Sequence, residues 1–268
     1  MMDYEHFLTS LLVDLVAISV LTYALYFRRH RRRDLTLALM GVNVGLFAVS
    51  SFTASSEISV GFGIGLFALL SVDFATAYEA AYGRLALQPV ALPPEDKEFV
   101  WLVIVAIVGS ATARHHVRRY REAGGGTAGI EAALRIAAFA SGRDRFDFAA
   151  EAWAYQMPGW DPAAAEAAAR DALLSGTGLP PHRAALGLLA AATARRDAGG
   201  VERSLREGYR LGIDERHLAE AICLTIQPAG LPNVVRAAAL WRRLIAAAEV
   251  PASDAFRAWA ALPAEGDA

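Results

Sequence analysis

The sequence offers few side chains that could carry redox or metal chemistry. Cys223 is the only cysteine among 268 residues, so the chain can form no intrachain disulfide, no cysteine-based zinc cluster and no Cys-x-x-Cys redox pair. Its apolar neighbours indicate a small core residue. His115 and His116 are adjacent, so on a helix their side chains point about 100° apart, and arginines surround them. We interpret both as surface residues and expect neither a metal ion nor a cofactor.

Three polar residues lie within or beside apolar runs of the N-terminal half. Asp14 interrupts a long apolar run, and an ionised side chain is costly there unless it has a function. It could relay a proton or pair with an ion, or it could simply reach the membrane interface. Asn43 and Asp73 are further candidates of the same kind. The formal net charge of −2 gives no reason to expect a nucleic-acid partner.

The apolar runs around these residues predict a transmembrane bundle. A helix needs about 20 apolar residues to cross a bilayer. Mean hydropathy is high and the long apolar runs all precede residue 114. We therefore expect about four membrane-spanning helices, namely Phe7–Phe27, Leu35–Phe52, Glu57–Phe74 and the shorter Phe99–Ala113.

Glycine and arginine residues indicate how the helices of such a bundle would pack and which way they would face in the membrane. Gly61 and Gly65 share one helix face, so they predict close packing against a neighbouring helix. Basic residues beside a span favour the cytoplasmic side and anionic lipid headgroups. A second basic block, Arg114–Arg121, would also favour the cytoplasm, but three predicted spans lie between the two blocks and put them on opposite sides. Either Phe99–Ala113 does not cross fully or one block lies outside. We leave this choice and the sidedness of the C-terminal half open while preferring the cytoplasm. The first block consists of Arg28, Arg29, Arg31, Arg32 and Arg33.

The C-terminal half has a different pattern. It is rich in alanine, its charged residues recur at helical spacing and it shows no strand pattern. Asp161 and Asp214 precede predicted helices as N-caps. We therefore predict an all-α chain: a transmembrane domain at 1–121, a linker and first soluble helix at 122–144, an Ala-rich helical domain at 145–250 and a tail at 251–268.

The N-terminal half has an Arg-rich turn, a second apolar run with Asn43 and a third that contains Gly61-Phe62 and Gly65-Leu66-Phe67-Ala68. With this pattern it resembles a bacterial multi-pass membrane family of unknown function, the domain-of-unknown-function family forty-nine fifty-six. The resemblance covers roughly residues 10–113 and implies a bacterial inner-membrane location. Where the family leads us to expect an Arg-Tyr-Arg-Thr turn after the third span, this chain has Asp73, Phe74, Ala75 and Thr76, so the arginines that could bind an anion are absent here. The residues that carry the resemblance are Tyr26, Arg33, Asp34, Asn43, Phe47, Gly61, Phe62, Gly65, Leu66, Phe67 and Ala68.

The C-terminal half resembles the carboxymuconolactone decarboxylase and alkyl hydroperoxidase D-like superfamily. The cues are helix spacing, the Gly212 turn before Asp214 and the Ala229–Pro232 turn. The resemblance implies an all-α fold that assembles as a homo-oligomer. Its peroxidase members use a Cys-x-x-Cys pair with a nearby histidine and an acid one helix earlier. Counted back from Gly212, these positions hold Asp197, Gly200 and Arg203, with the acid near Ala185, and none of them suits peroxidase chemistry.

Three hypotheses about function follow. The first is a multi-pass membrane protein whose decarboxylase-like domain is non-catalytic and serves oligomerisation or binding of a protein partner. The second is a membrane-associated enzyme of the carboxymuconolactone decarboxylase type, acting on a small molecule without thiol chemistry, with Ser204, Arg203 and His217 as catalytic candidates. The third is a transporter or channel accessory that uses Asp14. The lipid bilayer is a partner in all three.

Overall fold

A computed structural model describes residues 77, 78, 80–110 and 114–263 of the chain. All regular elements within these residues are helical. The chain divides into two compact units, Met1–Glu79 and Ala80–Ala268, and the described residues lie almost entirely in the second. After a π-helical turn at Gly83–Leu87, helices α1 to α11 are, in order, Pro94–Val108, His115–Glu122, Thr127–Gly142, Asp144–Ala152, Pro162–Leu174, Pro181–Arg195, Ala198–Arg210, Glu215–Cys223, Ile226–Ala229, Leu231–Ala246 and Asp254–Ala260.

The apolar run that we expected as a fourth membrane span forms most of α1, and α1 is a core helix. It has 15 residues and packs against α2, α3 and α6. Phe99, Val100, Val103 and Ile104 are fully buried. Within the described residues, no helix is both long and apolar enough to cross a membrane. The unit that contains α1 begins at Ala80, and the domain boundary at residue 121 stays a prediction.

Local sequence explains where several helices begin. Proline at the first position suits α1, α5 and α6, because the ring fixes a helical φ and the missing N–H would have no helical partner. The Asp161 carboxylate accepts hydrogen bonds from the first turn of α5, and Asp214 does the same for α8 at 2.8 Å. Both caps confirm the sequence expectation.

Helices α1 to α3 and α6 to α8 form two copies of one structural repeat. Helices α1 and α6 both have 15 residues, both begin at the second of two prolines, and Pro181 lies 87 residues after Pro94. Both end at a left-handed residue, Gly109 and Arg196. The next helix of each copy ends in a left-handed glycine turn, and Gly212 lies 88 residues after Gly124. The common length of α1 and α6 and the two shared turns define equivalent positions in the two copies.

The two copies are joined by buried ion pairs. Arg183 Nε donates to Asp96 at 2.6 Å, and Arg183 lies 87 residues after Asp96, so the pair joins equivalent positions. Lys97 Nζ in α1 lies 2.9 Å from the Glu220 carboxylate in α8, and both side chains are at most 3% exposed. Glu220 also accepts hydrogen bonds from the backbone N–H of Ala91 and Leu92.

Candidate functional site

The first repeat holds a buried carboxylate–imidazole pair. Glu98 lies in the second turn of α1, and His116 lies in the first turn of α2. The Nδ1 atom of His116 is 2.7 Å from Oε2 of Glu98, and the two side chains are 1% and 3% exposed. The structure therefore corrects the expectation that His115 and His116 are surface residues, because both are buried.

Neighbouring side chains hold both members of the pair. Arg119 Nε donates to Oε1 of Glu98 at 2.6 Å, and its Nη2 donates to the Leu87 carbonyl at 2.7 Å. The indole of Trp101 stacks on the His116 ring, with centroids 4.4 Å apart and planes 12° apart. A carboxylate at Nδ1 and a flat ring on one face fix the orientation of the imidazole. Glu98 binds Nδ1, so Nε2 is the ring nitrogen that this carboxylate leaves unbound.

The charge states of the pair follow from burial and hydrogen bonding. Burial alone would raise the pKa of Glu98, but the hydrogen bonds from His116 and Arg119 outweigh it and lower that pKa below its ordinary value. Burial lowers the pKa of His116, and the attraction of Glu98 does not fully offset it. The pair therefore rests as a carboxylate beside a neutral imidazole at neutral pH, which is the state of a general base.

The second repeat holds a small cavity at the equivalent place. Its volume is about 50 Å³. Ala185 and Leu188 line it, 87 residues after Glu98 and Trp101, and Ser204 and Glu207 line it, 88 residues after His116 and Arg119. Alanine, leucine and serine thus stand where the first repeat has glutamate, tryptophan and histidine, and the smaller side chains leave the cavity. The remaining lining residues are Phe139, Ala140, Arg143, Glu166, Arg170, Ala192, Asp197, Gly200 and Arg203.

Two of the three catalytic candidates predicted from the sequence lie at this cavity. Ser204 and Arg203 meet at this cavity, whereas His217 in α8 does not line it. Cys223 is partly buried, and burial raises the pKa of its thiol, so it lacks the thiolate character of a nucleophile. Among the described residues, no group of three or more His, Cys, Asp or Glu side chains is placed to hold a metal ion. The membrane candidates lie outside the described residues: Asp14, Asn43, Asp73, Gly61, Gly65, Arg28, Arg29, Arg31, Arg32 and Arg33.

Two family models match adjoining parts of the chain. Residues 14–73 match a domain of unknown function (DUF4956). Residues 73–155 match the carboxymuconolactone decarboxylase family. Both resemblances inferred from the sequence are thereby confirmed. No curated protein and no solved structure was found to match.

The second match covers the first repeat, whereas the residues that suggested this family from sequence, about 145–250, include the second repeat. The positions of the family's catalytic residues were found by counting back from Gly212, the glycine turn of the second repeat. The same count can start from Gly124, the glycine turn of the first repeat. It then reaches Gly109, Thr112 and His115, with the acid position at Lys97, next to Glu98. The first repeat therefore has a histidine at one of these places and an acid one residue beyond another, without the cysteines. The signal in the sequence was the glycine turn at Gly124, because counting back from it leads to His115 and to the neighbour of Glu98.

Proposed function

We propose that the second unit is an acid–base enzyme that acts on a small molecule without thiol redox chemistry. The observation that carries this proposal is the buried Glu98–His116 pair inside the residues that match the carboxymuconolactone decarboxylase family. Isomerisation moves a proton between atoms of a substrate, and decarboxylation replaces a carboxylate on carbon with a proton. Both reactions need a group that takes up and returns a proton.

In this proposal, His116 exchanges the proton at Nε2. Glu98 stabilises the imidazolium that forms, and the stacked Trp101 face adds a cation–π attraction. Arg119 is a positioning residue, because it binds Glu98 on the side away from the imidazole and keeps that carboxylate ionised. The chemistry uses only side chains of the first repeat.

The test is turnover of carboxymuconolactone, followed by CO₂ release and by ultraviolet absorbance, with the full chain purified in detergent. We expect His116→Gln and Glu98→Gln to lower kcat/KM by roughly 10²- to 10⁴-fold, the usual contribution of a positioned acid–base group. His217→Gln is the matched control and should keep activity. Equal turnover by wild type and His116→Gln would overturn the proposal.

The second candidate is the non-catalytic oligomerisation or partner-binding module. The 1% exposure of the His116 side chain favours it, because a substrate must reach the ring before the ring can act. Exposed aromatic side chains at Phe148, Trp153 and Tyr155 also favour a surface for self-association, since such residues are enriched in interfaces. Light scattering of the purified chain tests this point, and a monomer at all concentrations would contradict self-association.

The proposal also includes attachment to the bacterial inner membrane by the N-terminal unit. Its support is the three apolar runs before residue 75 and the arginines from Arg28 to Arg33. The transporter-accessory hypothesis rests on Asp14 and stays a prediction. Extraction of the full chain from bacterial membranes by carbonate, without detergent, would contradict membrane insertion.

A further inference from the structure

We infer that the cavity of the second repeat is a binding site for a small carboxylate, separate from the Glu98–His116 pair. The inference does not depend on the proposed enzyme activity. It rests on the shape of the cavity, on its place in the repeat and on the hydrogen-bonding state of its side chains.

The cavity exists because the second repeat has lost bulk at the positions that form the pair in the first. Ala185 and Ser204 stand where Glu98 and His116 stand in the first repeat. A volume of about 50 Å³ holds roughly three or four waters, since one water needs about 10–15 Å³ on this measure. Acetate, with four heavy atoms, has a matching size.

The carboxylates around the cavity are already compensated. Arg143 is 5% exposed and donates to Asp197, Asp147 and Glu166, and these contacts use all five of its N–H groups. Glu207 accepts two hydrogen bonds from Arg210, which lower its pKa. None of these groups offers a free negative charge to a cation.

The lining residues with the fewest partners are hydrogen-bond donors. Arg203 makes one ion pair, from Nε to Glu166 at 3.2 Å, and within residues 114–263 no hydrogen bond from its guanidinium is found. The Ser204 hydroxyl likewise has no partner among those residues. Arg170, at the same cavity, pairs with Asp171 at 2.8 Å. Arg203 and Ser204 line the cavity, and a guanidinium together with a hydroxyl can recognise the two oxygens of a carboxylate.

The experiment is calorimetric titration of the full chain in detergent with sodium acetate, against sodium chloride at the same ionic strength. We expect saturable acetate binding that chloride does not reproduce, and no binding of benzoate, which is too large. Arg203→Gln should weaken acetate binding about tenfold, the loss expected for one charge-assisted hydrogen bond. Ala185→Leu should abolish binding by filling the cavity while leaving every charge in place.

Arg216→Gln is the matched control, because Arg216 is an exposed arginine of α8 away from the cavity, and it should bind acetate as wild type does. Ser204→Ala, a mild change, should still weaken binding severalfold if the larger substitutions prevent folding. Acetate and chloride giving the same heat would overturn the inference. Wild-type affinity in both Ser204→Ala and Ala185→Leu would overturn it as well.

Discussion

At the scale of single residues, the burial of His116 makes stability depend on pH. Its pKa in the folded chain is lowered from the ordinary 6.5, so the unfolded chain takes up this proton first as the pH falls. The unfolded state then binds more protons, and the free energy of unfolding decreases below about pH 6.5. The pKa of Glu98 is lowered from 4.5, so its contribution is lost only below that pH. We predict a decline between pH 6.5 and 5, of at most about 1.4 kcal/mol per pH unit for this one proton.

Urea unfolding at several pH values measures this decline. His116→Gln should reduce the slope, because glutamine does not titrate. His217→Gln should leave the slope unchanged, since His217 is only partly buried and lines neither site. An unchanged slope in His116→Gln would show that other groups cause the decline.

The role of His116 could not be predicted from its neighbours along the chain. Arg114, Arg118, Arg119 and Arg121 indicate a solvated surface, and several of these side chains are indeed exposed. Burial of the histidine depends on Glu98, which precedes it by 18 residues and lies on another helix. A pairing of this kind is set by tertiary packing, whereas a cap such as Asp161 is set by its next three residues and was predicted correctly.

At the scale of elements, the glycine turn between α2 and α3 is fitted to one aromatic ring. A Cβ added at Gly125 would overlap the ring of Tyr120, which is 1% exposed. We predict that Gly125→Ala lowers the free energy of unfolding by about 1–3 kcal/mol, the usual cost of overpacking. Chemical denaturation monitored by helical circular dichroism gives the value.

Gly126 supplies a matched control one residue away. It has extended backbone with φ of −102°, and nothing lies within 4 Å of an added Cβ. Gly126→Ser places a capping residue at the start of α3 and should be neutral or stabilise by up to about 1 kcal/mol. In a Tyr120→Leu background, Gly125→Ala should cost much less. The same cost in both backgrounds would contradict a clash with the ring.

The misassignment of α1 as a membrane span has an element-level cause. Helix α1 packs against α2, α3 and α6, so it is apolar on most sides. A buried helix of this kind has the same apolar composition as a helix that faces lipid. Its length of 15 residues is the feature that separates it from a span. The all-helical class and the helix starts capped by Asp161 and Asp214 were predicted from the sequence, but the partner of the apolar α1 was not.

At the scale of the whole molecule, the Lys97–Glu220 pair joins the two repeats. Lys97 also donates to the carbonyls of Leu85 and Gln88, each at 2.6 Å. Because Lys97→Met leaves a buried carboxylate without its cation, we predict a loss of about 3–5 kcal/mol in the free energy of unfolding. The double variant Lys97→Met with Glu220→Gln should recover part of this loss.

A double-mutant cycle from urea unfolding measures the coupling. Glu122→Gln is the control, because the Arg118–Glu122 pair is exposed on both sides and should contribute less than about 1 kcal/mol. Additive effects of Lys97→Met and Glu220→Gln would show that the pair does not couple the repeats.

The extent of the second unit can be tested with two fragments. The compact unit begins at Ala80, whereas the sequence pattern predicted a boundary at residue 121. A fragment from 122 to 268 lacks α1 and with it the fully buried Phe99, Val100, Val103 and Ile104. Burying four such side chains contributes roughly 6–12 kcal/mol, which is comparable to the whole stability of a domain. We therefore predict that residues 80–268 unfold cooperatively in urea and that residues 122–268 do not. A cooperative transition in the shorter fragment would instead support the boundary at 121.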